Sequence, residues 1–221
     1  MQHRRMHCLV TTAALTLAST TALAQSSITV EQHADDSGID LLQTGDDTTA
    51  LIRQEGANHQ ADILLGGSGH NGTLEQSGDG HVADIEVEGT DHTFKLLQAG
   101  TTNEAHLLQT GSDQLASIAQ DGTDLFAAIQ QDGERHVADI DQTGMGHYAG
   151  IDQFGTNNHA SIDQSGADNH ASISQDGQDL DASVTQIGND NEYILTQSGD
   201  GLVAPTVTQS GGSSATIHQT N

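Results

Sequence analysis

Thirteen histidines and 31 aspartates and glutamates are the residues of this 221-residue chain best suited to carry chemistry. Histidine with carboxylates can hold a metal ion, and paired carboxylates can act as acid and base on a glycosidic bond. The spacing argues against both. Histidines recur singly, as at His59, His70, His81 and His92, and form no compact zinc-type ligand cluster. A ladder role, with imidazole standing in for an amide donor and acceptor, fits them better. On that reading, charging them at about pH 6 would disrupt the ladder. The carboxylates are scattered over short polar stretches, whereas an acid and a base need two different environments in one cleft. No catalytic residue and no cofactor is assigned. Asp40, Asp62 and Asp84, spaced by 22 residues, are the weak candidates for a bound cation. Stacked about 4.8 Å apart, they would repel one another unless cations or protons intervened, so acid, calcium or salt should favour the stacked form.

Composition narrows the remaining functions. There is no Trp, two Tyr, three Phe and one Pro against 25 Gly, and the formal charge is −26. A nucleic-acid or anionic-membrane partner needs a basic patch, and this chain has five Lys and Arg in all. Residues 1–24 have the order of a secretory signal peptide: Arg4 and Arg5, an apolar run over Cys8–Ala18, then Ala22-Leu23-Ala24. That run is well short of the roughly 20 apolar residues of a membrane span, so no stable insertion is expected. The remainder, 25–221, is the second expected unit. It has no cysteine, and it sets all 31 acids against Arg53, Lys95 and Arg135, a balance of −28.

What must position these residues is a repeat. Gln recurs at Gln32, Gln43, Gln54, Gln76, Gln98, Gln109, Gln120, Gln131, Gln142, Gln153, Gln164, Gln175, Gln186 and Gln197, always at intervals of 11 or 22. Leu65 and Val87 fill the two vacancies; Gln209 comes one residue late, near Pro205, and Gln219 restores the phase. Two residues before each mark lies an aliphatic side chain, and four before it usually Ala. Six before lies Asn or His, as at His59, His81, Asn103, Asn158, Asn169 and Asn191. Two after it lies glycine: Gly45, Gly56, Gly78, Gly100, Gly111, Gly122, Gly133, Gly144, Gly155, Gly166, Gly177, Gly188 and Gly199 among them. Disorder, the other reading of an acidic, aromatic-poor chain, gives no reason to keep such a phase.

An 11-residue period can mark a right-handed helical coiled coil. Here Asn/His, Ala, Ile and Gln fall on alternate residues, which is strand period. Glycine in every copy would cost a helix about 1 kcal/mol each, while it suits a turn. The expected fold is therefore all-β: a β-solenoid of strand-turn-strand rungs, 22 residues each, with the glycines in the turns. Asn/His, Ala, Ile and Gln point inward. Nine rungs make a flattened rod roughly 40 Å long, with amide ladders of the cross-β kind inside. Leu65 and Val87 then become direct neighbours in one ladder. Outside, Leu42, Leu64 and Leu108 share a column broken by Glu86, and Asp141, Asp152 and Asp163 hold the corresponding place further on, so the rod is expected to be apolar in one half and acidic in the other.

The unit Gln-x-Gly-x-x-Asn-x-Ala-x-Ile-x-Gln resembles the curlin repeat of curli amyloid subunits. The cleanest copies are Gln153 to Gln164 and Gln164 to Gln175, and the similarity covers Gln32 to Gln219, with His replacing Asn at six positions. The resemblance implies a secreted subunit, major or nucleating, that self-assembles end to end into a cell-surface fibre for adhesion and biofilm matrix. It implies two partners, a second curlin-type subunit and an outer-membrane export pore. The alternative is a monomeric acidic solenoid that binds cations or a surface. Repeats running almost the whole length of 25–221 would leave strand edges open, which favours the fibre.

Overall fold

A computed structural model describes residues 26–221. The expected signal peptide at 1–24 lies outside the described residues. Eighteen strands follow one another without a helix among the described residues. Sixteen are nine residues long, from β1 (Ser27–Asp35) and β2 (Gly38–Asp46) to β15 (Asp181–Asn189) and β16 (Glu192–Asp200); β17 (Val207–Ser210) and β18 (Ser214–Thr220) are shorter. Odd strands form one nine-stranded parallel sheet and even strands a second. Each strand pairs with the one 22 residues away, Gln54 with Gln76 and Ile140 with Ile162, save β15 with β17 at 23, so two strands and two corners make one rung. The 22-residue rung expected from the sequence is the rung of the fold.

Alternation explains the two sheets. In the fourteen strands from β3 to β16 the second, fourth and sixth residues are buried, and these are mostly Ala, an aliphatic residue and Gln: Ala160, Ile162 and Gln164 are all 0% exposed. Facing another such strand, they bury an apolar stripe that a lone strand could not. Parallel pairing repeats the same residue type from rung to rung, so shape and hydrogen-bonding need are met along each column. One aromatic side chain interrupts the Ala column of each sheet. Tyr193 is fully buried, and its hydroxyl has no partner. Phe94 of β7 (Thr93–Thr101) lies over Gly72 of β5 (Asn71–Asp79), where a Cβ would stand 2.0 Å from the ring.

The glycines expected in the turns lie one step earlier, at the penultimate position of each strand from β2 to β16. There they share columns in which a Cβ would meet the next rung's carbonyl: from Gly100 it would fall 2.0 Å from the oxygen of Gly122, at a φ of +104°. The left-handed corner residue comes two positions later and is usually Asp or Asn, as at Asp47, Asn58, Asp113 and Asn157, residue types that tolerate that conformation. Backbone bonds continue between rungs through the corners, for example from Asn58 N–H to the Asp35 carbonyl at 2.9 Å. The late Gln209 is absorbed by the segment 201–206, and Gln209 still pairs with Gln186.

The buried ladders as candidate functional site

Glutamine side chains form two columns inside the rod. In the odd sheet the column is unbroken from Gln32 to Gln209, each Nε2 donating to Oε1 of the next rung at 2.8–3.0 Å. A second bond from Nε2 crosses the core to a backbone carbonyl of the opposite sheet: Gln164 reaches the carbonyl of Tyr148 at 2.9 Å, and Gln153 that of Val137 at 3.0 Å. Each amide thus ties its own rung to the next and one sheet to the other. All the donations run the same way, from the N-terminal rung toward the C-terminal one. The sequence placed these side chains inside but carried no sign of that direction.

The even sheet has the same column from Gln109 to Gln219 through Gln131, Gln153, Gln175 and Gln197. Before it stand Leu65 and Val87, 1% and 0% exposed and paired in register. The interruption has a cost on its C-terminal side: Gln109 Oε1 is buried with no hydrogen-bond partner. On its N-terminal side Gln43 turns its amide to the Ser26 hydroxyl at 2.8 Å. Leu65→Gln and Val87→Gln should each leave half of a new amide bond unmade, whereas the double variant closes the column. A double-mutant cycle by denaturant unfolding is expected to show a favourable coupling of about 1–2 kcal/mol between the two positions. Additive effects would mean that the amides of neighbouring rungs do not bond.

At the corners, a second set of buried polar side chains follows the left-handed residue. Asn103 donates from Nδ2 to the carbonyl of Ala99 at 2.8 Å, and its Oδ1 accepts the backbone N–H of Leu125 at 3.1 Å. Asn158, Asn169 and Asn191 bond in the same manner. His59, His81, His70, His92, His136 and His147 occupy equivalent corners and are 0–1% exposed. His59 and His81 stack with ring centroids 5.1 Å apart, as do His70 and His92 at 5.2 Å. Gln114 fits less well; one methylene longer, it leaves its Oε1 buried without a partner.

Outside, the register does stack Asp40, Asp62 and Asp84. It gives them no cation cage. Asp62 accepts from the Gln60 amide at 2.9 Å, Asp84 has His106 at 3.6 Å, and among the described residues no group of three or more His, Cys, Asp or Glu is arranged to hold a metal ion. Carboxylates crowd elsewhere: Asp141 is pushed above the usual aspartate range by lost hydration, then by Asp163, Asp139 and Asp121. Leu42, Leu64, Glu86 and Leu108 share a column that continues into Gln130 and Asp152. Asp141 and Asp163 lie on the other sheet, and beyond Asp152 the even-sheet column runs into Ser174, Thr196 and His218, so the expected division into an apolar and an acidic half does not hold. The even sheet also carries the exposed aromatic column, with Phe126 and Tyr148 stacked at 5.0 Å.

No helix among the described residues is long and apolar enough to cross a membrane. No curated protein matches the chain. The family model of the curlin associated repeat matches it in three consecutive stretches, 95–122, 122–155 and 155–188. These stretches contain most of the ladder, from the Gln98 rung through Gln186, and begin just past the Leu65–Val87 interruption. Between 95 and 188 the glutamine and corner columns are built from curlin repeats, and the chain is a β-solenoid of 22-residue rungs that carries these repeats.

Proposed function

We propose that the chain is the subunit of an extracellular curli-like fibre and that it assembles end to end through its open rungs. One observation carries this reading. Among the described residues no strand lies beyond β1 and β2 at one end of the sheets or beyond β17 and β18 at the other. Such edges present unpaired backbone donors and acceptors to another chain. A second copy placed on the rod would pair its β1 with β17 and its β2 with β18, and Gln209 and Gln219 would donate to its Gln32 and Gln43. Because every donation inside the rod runs one way, the ladders continue only if copies stack head to tail. The family supports a structural role over a catalytic one. With it come residues 1–24 as a secretory signal, an outer-membrane export pore, a second curlin-type subunit, and work in adhesion and biofilm matrix.

The test uses residues 25–221, purified in denaturant and diluted into buffer at neutral pH. Thioflavin T fluorescence should rise after a lag that preformed fibres abolish, and fibre diffraction should give spacings of about 4.8 Å and 10 Å. A folded monomer that stays monomeric and neither nucleates nor extends fibres would instead support the acidic monomeric solenoid.

A further inference from the structure

Six buried histidines share a bonding pattern that admits one protonation state. In each of His59, His70, His81, His92, His136 and His147, Nε2 lies 3.0–3.3 Å from the backbone carbonyl four residues earlier. A carbonyl only accepts, so Nε2 carries the proton. In the same six rings Nδ1 lies 3.2–3.4 Å from the backbone nitrogen of the residue 22 positions on. A backbone N–H only donates, so Nδ1 is bare. A second proton would drive Nδ1–H against that N–H and set a cation in a place closed to water. Asparagine at the same corners makes the same two bonds, Nδ2 to the carbonyl and Oδ1 from the N–H, and does not titrate. The two residue types are interchangeable at neutral pH and diverge in acid.

We infer that these six histidines are an acid-release lock: the rod forms while they are neutral and comes apart when the medium falls through the titration range of free histidine. The folding half of the inference stands alone; its extension to fibre growth rests on the assembly reading above.

The groups around the rings set the direction. Around His81 stand His59 and Asp79, around His92 stand His70 and Asp113, Asp132 lies beside His136, and Asp168 beside His147. Burial is the largest influence on these four and lowers their pKa below the ordinary 6.5; the carbonyl that each ring faces opposes the change, stacked partners lower the pKa further in His81 and His92, and the nearby carboxylates raise it without reversing the direction. A lowered pKa means the folded chain binds fewer protons than the unfolded one. The stability contributed is complete above pH 6.5 and is lost as the pH falls below it. The crowded carboxylates act oppositely. Asp141 and Asp152 have raised pKa values, so protonating them relieves a penalty and favours the fold in acid. Loss of stability in mild acid therefore points to the imidazoles and not to the acidic coat.

The experiment is denaturant unfolding of residues 25–221 at pH 7.5 and 5.5, for the wild type and for a variant with all six changed, His59→Asn through His147→Asn. Between these pH values the wild-type unfolding constant should rise at least about a hundredfold, against less than about threefold for the variant. At pH 7.5 the two should agree. A control with His106→Asn, His159→Asn and His170→Asn, all outside the core, should keep the wild-type response. Equal pH responses of the wild type and the six-site variant overturn the lock, as does a six-site variant unfolded at pH 7.5. Independently of any variant, nitrogen NMR of the wild type at pH 7.5 should find these six rings protonated on Nε2 alone, and Nδ1–H signals from them would refute the inference. If the folding response holds while fibre growth at pH 5.5 and 7.5 is the same or absent, it is the assembly reading that fails and not the lock.

Discussion

Gly100→Ala is expected to cost the folded rod roughly 3–5 kcal/mol, for the addition of one methyl group. Two independent penalties combine at that position. The φ of +104° is one that L side chains rarely adopt, and the new Cβ would stand 2.0 Å from the carbonyl oxygen of Gly122. That oxygen belongs to backbone held in the next rung's ladder and has no rotamer into which to retreat. The strand must move away, and its bonds to the neighbour go with it. Gly150→Ala is the matching control: its nearest neighbour would be the Tyr148 ring at 3.7 Å, an ordinary contact. Denaturant midpoints measured on both should separate widely, with Gly150→Ala within about 0.5 kcal/mol of the wild type. Comparable losses would mean that the glycine column is not a steric requirement of the stack.

Gln164→Leu should cost about 2–4 kcal/mol and lengthen the assembly lag, while Ser161→Ala leaves both nearly unchanged. The substitution removes three bonds: from Gln142 at 2.9 Å, to Gln186 at 2.8 Å, and to the Tyr148 carbonyl at 2.9 Å. It leaves an amide hydrogen on Gln142, the Oε1 of Gln186 and a backbone carbonyl without partners, all of them shielded from water. Leucine gains apolar burial, but nothing in the column can answer the orphaned groups. The even sheet shows how far such a loss can be contained. Leu65 and Val87 are adjacent, so they open one gap instead of two, and Ser26 takes up the amide of Gln43. Equal effects of the two variants on stability and lag would mean that the faces of the strand are reversed.

Much of this architecture could be read from residue types because alternation and period each fix one variable. Alternation of Ala, Ile and Gln decides which residues face inward, and the even spacing of Leu65 and Val87 decides that a rung has 22 residues. An 11-residue step moves to the opposite sheet, and this parity separates Asp152 from Asp141 and Asp163. Glycine was visible as a marker of unusual backbone, but not whether it served a corner or a close approach of two strands; Asp47 and Asn58 take the corner because a short polar side chain tolerates left-handed backbone. The one-way run of the amides and the single tautomer of the imidazoles depend on which atom faces which across rungs. Residue identity says only that both a donor and an acceptor are present.

Phe94 and Gly72 give the rod something its repetition would otherwise deny it. A chain of near-identical units can align with itself in many ways, and a strand of the odd sheet paired one rung out of place would still match Gln to Gln and aliphatic to aliphatic. The aromatic ring of Phe94 closes over a neighbour that has no side chain. At the corresponding place in β3 (Thr49–Ala57) stands Ala50, whose methyl group would occupy the space the ring needs. The pair therefore works like a key cut in an otherwise uniform edge. Slipped alignments that the unbroken odd-sheet ladder admits are rejected by this mismatch of volume, and the odd sheet gains an address from which to count its rungs, as the even sheet has one in Leu65 and Val87.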